Sequence, residues 1–134
     1  MRKLIDLRTR TKDYSLAVLR CYSQLPRSTA AHVLGRQLLR SATSVGAQYR
    51  EAGRAKSAAD FISKTEGALQ ELEETAYWLE LVEGAGIADR DDVAALRDET
   101  GQLTAIFVTI IRKAKQKAGR QVAGPAFGLL PSDF

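Results

Sequence analysis

With 134 residues, 45% of them apolar and 27% charged, the chain has the size and composition of one globular domain with a real core. Its single cysteine, Cys21, excludes an internal disulfide and fits a reducing cytoplasm. No apolar run approaches the roughly 18–20 residues of a membrane span, and MRKLIDLRTRTKD, basic but without an apolar h-region, does not read as a signal peptide.

The net charge of +4 hides a sorting by position. Residues 1–56 carry 12 Lys/Arg against 3 Asp/Glu, residues 57–111 carry 3 against 12, and residues 112–134 carry 5 against 1. Such a pattern bears on partners and assembly more than on fold. Prolines stand only at Pro26, Pro125 and Pro131, so a long stretch is free of helix breakers.

The first helix is expected from about Lys12 to Leu25, with Tyr14, Val18, Cys21, Tyr22 and Leu25 on one face. Pro26 ends it, and Ser28 or Thr29 caps the next start. The second helix is expected over about 30–55. On a wheel of about 100° per residue it separates into three stripes. Leu34, Leu38, Ala42, Val45, Tyr49 and Ala52 are apolar. Gln37, Ser41, Ser44, Gln48 and Glu51 form a polar stripe beside them, and Arg36, Arg40, Arg50 and Arg54 a basic one farther round. Gly46 and Gly53 thin the remaining side and offer close helix approach.

Ser57 with Asp60 resembles a capping box for a third helix over about 58–83. Its core stripe is Phe61, Thr65, Ala68, Leu72, Thr75 and Leu79, while Trp78, Leu81 and Gly67 lie off it. Gly84-Ala85-Gly86 supplies a turn. The fourth helix is expected over about 89–117, with acidic residues at its start and Arg112, Lys113, Lys115 and Lys117 at its end, both suited to the helix dipole. Leu96, Leu103, Phe107, Ile110 and Ala114 face the core. Residues 118–134, rich in Gly and Pro, read as a tail outside the bundle, with Phe127, Leu129, Leu130 and Phe134 as a docking peptide or a loose terminus. Four amphipathic helices with short links predict an all-α, antiparallel up-down-up-down four-helix bundle.

The stretch Gln37–Phe61, QLLRSATSVGAQYREAGRAKSAADF, resembles the signature of the bacterial four-helix-bundle family named for intervening sequences of 23S ribosomal RNA. Gln37, Arg40, Ser41, Ala42, Ser44, Val45, Ala47, Glu51 and Phe61 match that pattern. ALQELEETAYWLELVEGAG and LTAIFVTIIRKAK also look alike, so the similarity spans roughly residues 14–117. One position departs: the usual asparagine is Gln48 here. The resemblance implies a bundle assembled into a homopentameric ring or barrel. It also implies kinship with accessory proteins of diversity-generating retroelements, which bind reverse transcriptase and RNA, and no established catalytic activity.

The chain's own chemistry agrees with a non-enzyme. His32 is the only histidine and has no Glu three residues before it, so di-iron and zinc patterns are absent and neither metal nor cofactor is expected. Cys21 reads as a small buried residue, and no phosphate loop occurs. Glu66, Glu73 and Glu80, two turns apart, read as a solvated face. The polar stripe Gln37-Ser41-Ser44-Gln48-Glu51 reads as an inter-helix or inter-subunit hydrogen-bond seam, with a ligand groove as the alternative. The arginine stripe, continued by Lys56, spans about 27 Å if the helix is continuous and would meet several phosphates of a nucleic acid. The alternative is a solvated face, partly paired with the acidic helix 3 of a neighbour. Tyr49 lies on the apolar stripe, so base stacking is not indicated there. Trp78 and Leu81 are the candidate oligomer interface, unless helix 1 covers them. The expected function is a cytoplasmic, non-enzymatic, oligomeric accessory protein that binds RNA or a ribonucleoprotein partner, such as a reverse transcriptase, through basic surfaces without sequence readout. The alternative is a protein-interaction scaffold.

Overall fold

A computed structural model describes the backbone of residues 6–127 and the side chains as far as Arg120. Four helices account for it: α1 (Leu7–Ser23), α2 (Thr29–Ala52), α3 (Ala58–Ala85) and α4 (Arg90–Phe127). No strand occurs among the described residues.

Each start is fixed by a side chain that accepts an otherwise orphaned amide. Asp6 caps α1, taking Arg8 N at 3.0 Å and Thr9 N at 3.3 Å. The helix therefore begins at Leu7, five residues ahead of the expected Lys12. The basic leader hides an amphipathic turn: Leu7, Thr11, Tyr14, Val18 and Cys21 are all buried. Ser28 caps α2 through Ala31 N at 3.1 Å. The second helix stops at Ala52 rather than 55, because the Arg54 and Ala55 amides turn back three residues, to Glu51 and Ala52. Ser57 takes Asp60 N at 3.0 Å while Asp60 takes Lys56 N at 3.3 Å, a reciprocal cap shifted by one residue from the usual box. Gly86, at φ 66°, closes α3 in the left-handed conformation that glycine adopts without strain. α4 runs on to Phe127, ten residues past the expected boundary at 117. Gly119 and Gly124 weaken a helix without forbidding it, and Pro125 comes only in the last turn. The remaining tail, with Leu129, Leu130 and Phe134, lies outside the described residues.

Contacts join α1 to α2, α2 to α3, α3 to α4 and α4 back to α1, so α1 and α3 sit on a diagonal. Partner positions fall along one helix as they rise along the next. Ser41 meets Thr75 while Glu51 meets Lys64, and Glu83 meets Arg97 while Glu66 meets Lys115. The core is Val18, Leu38, Ala42, Val45, Ala68, Leu72, Leu79, Val82, Val93, Leu103 and Phe107, all essentially sealed from water. Gly46 allows the close approach expected of it, toward Thr11 of α1, whereas Gly53 faces only its own helix carbonyls.

A layer of hydroxyls crosses this core. Thr75 Oγ1 donates to Glu71 O at 2.8 Å, leaving it to accept from Ser41 Oγ at 2.8 Å. Thr100 Oγ1 donates to Leu96 O at 2.6 Å and accepts from the Tyr14 hydroxyl at 2.6 Å. Each helix thus contributes one member. Burial pushes the Tyr14 phenol up to about 12, with the Thr100 and Thr75 hydroxyls partly offsetting it.

Candidate nucleic-acid interface

The two stripes of α2 meet different surroundings. Part of the polar stripe lies against α3: Ser41, Gln48 and Glu51 meet it, while Gln37 and Ser44 bond within α2. Ser41 is fully buried on Thr75, Ser44 Oγ returns to Arg40 O at 2.8 Å, and Gln37 Oε1 accepts from Arg40 Nε at 3.3 Å. Gln48 lies over Gly67, where a Cβ would overlap its amide. The longer amide at this departing position therefore has a matching gap on α3. Glu51 closes the seam by pairing with Lys64 at 3.2 Å.

Arg40 belongs with that seam. It reaches Glu74 at 2.7 Å and Glu71 at 3.4 Å, and the Glu74 contact holds its guanidinium firmly charged. Pairing with the acidic helix 3 of a neighbour is the expected alternative; Arg40 instead pairs with α3 of its own chain. Arg36, Arg50, Arg54 and Lys56 are exposed, and among the described residues none has a carboxylate within ion-pair distance. Because α2 ends at Ala52, Arg54 and Lys56 stand on the link to α3, not on a continuous helical stripe.

This shortened helix creates a cleft. Arg8 of α1, Arg50 of α2 and Arg54 of the link surround a space of about 480 Å³ together with Ala47, Tyr49, Glu51, Gly53 and Phe61. Arg50 Nη2 leans across to Arg8 O at 3.5 Å, joining the two helices at the rim. Tyr49 and Phe61 are half-buried, and the Tyr49 ring meets Phe107 edge-on at 5.5 Å and 77°. Asp6 accepts the Arg8 and Thr9 amides as the cap of α1, and the Arg8 charge also acts on its carboxylate. Its Thr9 hydroxyl bond, first of all, lowers its carboxyl below the usual range.

Arg8 was not foreseen, because the leader was not expected to be helical. The signal was present: Asp6 followed by Leu7, Thr11 and Tyr14 at helical spacing. Tyr49 does lie on the apolar stripe, yet it borders the cleft where α2 ends.

Trp78 is half-buried against the core, its indole nitrogen covered without a hydrogen-bond partner. It shares the side of α3 that carries Glu71, Glu74 and Gly67, the side α2 covers, so α2 rather than α1 packs there. Leu81 is half-buried as well, while Tyr77, 53% exposed, lies against the Trp78 ring at 5.2 Å. Cys21 is buried, and that burial pushes its thiol up, with Asp92 and Asp89 adding to the effect. His32 is exposed near the start of α2. Among the described residues no cluster of His, Cys, Asp and Glu could hold a metal ion, and no helix is long and apolar enough to cross a membrane.

A family model described as "23S rRNA-intervening sequence protein" matches residues 4–109. A solved structure from Bacteroides thetaiotaomicron, described as a protein with unknown function from the S23 ribosomal protein family, is 33% identical. The match covers 78% of this chain and 96% of that one, with a TM-score of 0.73. No protein of curated function matches.

Proposed function

The chain belongs to the 23S rRNA-intervening sequence protein family, and from that premise we propose a non-enzymatic accessory protein that binds RNA or a ribonucleoprotein partner through its basic surface. One observation carries the reading. Arg8, Arg50 and Arg54 converge on an open cleft without carboxylate partners among the described residues, while Arg40 is already paired. Clustered unpaired arginines repel one another until an anion joins them, and the guanidinium fork fits phosphate. Contacts of this kind hold the backbone and carry no sequence readout.

The proposal includes four alternating antiparallel helices, as the reversed order of helix contacts supports, and assembly into a homo-oligomer, a pentamer by family resemblance. A reverse transcriptase is the partner that the same resemblance suggests. Exposed Tyr77 beside Trp78 and Leu81 is the apolar patch that favours self-association. Light scattering at micromolar concentration should give a multiple of the 14.7 kDa chain, and a monomer would remove the assembly.

The RNA reading is tested by a gel shift with the full chain. Replacing Arg36, Arg50 and Arg54 together with Glu should abolish retention of RNA with helicity intact. Retention equal to that of the unaltered protein would refute binding through this face.

A further inference from the structure

We infer that the cleft at the end of α2 is a nucleotide site that takes one nucleotide of a single-stranded RNA, the phosphate among Arg8, Arg50 and Arg54 and the base against Tyr49 and Phe61. The inference rests on the RNA reading above and gives it a place and a strand preference.

Four features converge. The first is size: about 480 Å³ falls within the range of roughly 300–1,000 Å³ typical of small-molecule sites, enough for a nucleotide and too little for a duplex. The second is charge. Three arginines arrive from three separate pieces of chain, α1, α2 and the link, so they can approach one phosphate from different directions. The one carboxylate in the lining, Glu51, pairs with Lys64 at 3.2 Å, which leaves three arginines against one paired carboxylate.

The third feature is aromatic. Tyr49 and Phe61 both contribute to the wall and both remain partly open. Tyr49 is held by its edge contact with Phe107, so it offers a fixed ring. Base stacking on aromatic side chains tolerates any base because every base has a π-face. The fourth is topology. A paired base in a duplex is stacked between its neighbours and cannot reach such a wall, whereas a splayed single-stranded base can. An acidic peptide would satisfy the arginines and leave the two rings without a role.

The test uses the full chain and fluorescence anisotropy with a labelled 12-nucleotide oligoadenylate, the same strand in a duplex, and poly-glutamate as competitor. Arg8→Gln with Arg54→Gln should weaken single-strand binding at least tenfold. Phe61→Leu should weaken single-strand binding about tenfold and leave duplex binding unchanged, with circular dichroism confirming the fold. Should Phe61→Leu fail to fold, Phe61→Trp keeps a stacking surface and should bind the single strand at least as well as the unaltered chain; a tenfold loss would overturn the inference. Unaltered RNA binding by the Arg8/Arg54 variant would overturn the cleft while leaving RNA binding to other basic residues. Equal displacement by poly-glutamate, with no effect of Phe61→Leu, would assign the arginines to polyanions in general and overturn the nucleotide site. No RNA binding by the unaltered chain at low salt would refute the functional reading, and equilibrium dialysis with adenosine monophosphate would then decide the cleft alone: saturable uptake lost in the Arg8/Arg54 variant supports it, and no uptake refutes it.

Discussion

The α2–α3 seam and the cleft at the end of α2 draw on the same run of sequence and use it in opposite ways. In the seam, Arg40 is matched to Glu71 and Glu74, Glu51 to Lys64, and Ser41 to Thr75, so polar atoms meet partners inside the subunit. At the cleft, fourteen residues on from Arg40, Arg54 faces Arg8 and Arg50 with no such partners among the described residues. The difference lies in where α3 sits. α3 carries Glu71 and Glu74 beside the middle of α2, but it starts only at Ala58, after the link that holds Arg54. A basic stripe in sequence is therefore two things in space: Arg40 is paired with α3, while Arg36 and the residues at the end of α2 have no ion-pair partner among the described residues.

That division gives a clear expectation: seam substitutions should cost stability and leave binding alone, and cleft substitutions should do the reverse. The largest stability effect concerns the hydroxyl layer where the seam enters the core. Tyr14 has an ordinary pKa near 10 when unfolded and about 12 when folded. Below pH 10 both states hold the proton and the contribution is whole. Between pH 10 and 12 the unfolded chain releases it first, so stability falls as pH rises, by roughly 2–3 kcal/mol for a shift of this size. Urea unfolding across that range should show the loss, and Tyr14→Phe should lose less over the same window. An identical pH slope in the two proteins would place the burial of Tyr14 in error.

Next in size is Thr75→Val, close in shape but without the acceptor for Ser41. It should cost about 1–3 kcal/mol, because the Ser41 hydroxyl keeps only a long contact to its own helix. Arg40→Gln should cost less than about 1 kcal/mol, since both the arginine and Glu74 are partly exposed, and the cost should shrink in high salt. Neither should change RNA affinity. Smallest of all, Arg54→Gln should leave stability within about 0.5 kcal/mol of the unaltered chain. A larger loss in thermal melts would show that Arg54 is tied into the fold after all, and would blur the contrast between seam and cleft.

How much of this was legible in the sequence differs from element to element. The existence of the four helices, the Ser57–Asp60 cap and the Gly86 turn follow from local pattern and capping chemistry, while the start of α1 and the end of α4 were missed by five and ten residues. The polar stripe was read apart from the core, yet Ser41 is fully buried on Thr75, a contact visible only once α3 is laid against α2. Gly67 is the clearest case of a pairing that no single helix reveals: its missing side chain makes sense only under Gln48. The first helix was cut short because a run of Arg and Lys masked Leu7 and the Asp6 cap. That error removed Arg8 from view, and the stop at Ala52 instead of 55 was needed to bring Arg54 round toward it. The cleft depends on these two helix ends, and helix ends are where periodicity carries least information. Trp78 was set apart from the core stripe because one helix's wheel cannot show that a neighbouring helix covers its flank.

The central claim is that the charges open to RNA are those of the cleft and not those of the seam. It is tested most directly by the salt dependence of single-strand binding in the full chain, compared with an Arg8/Arg50/Arg54→Gln variant and with Arg40→Gln. Each phosphate contact on a single strand contributes about 0.7 to the slope of log affinity against log salt. The three arginines hold one phosphate, so the triple variant should lose about 0.7 from the slope, and Arg40→Gln should keep it whole. An unchanged slope in the triple variant, or an equal loss in Arg40→Gln, would contradict the account.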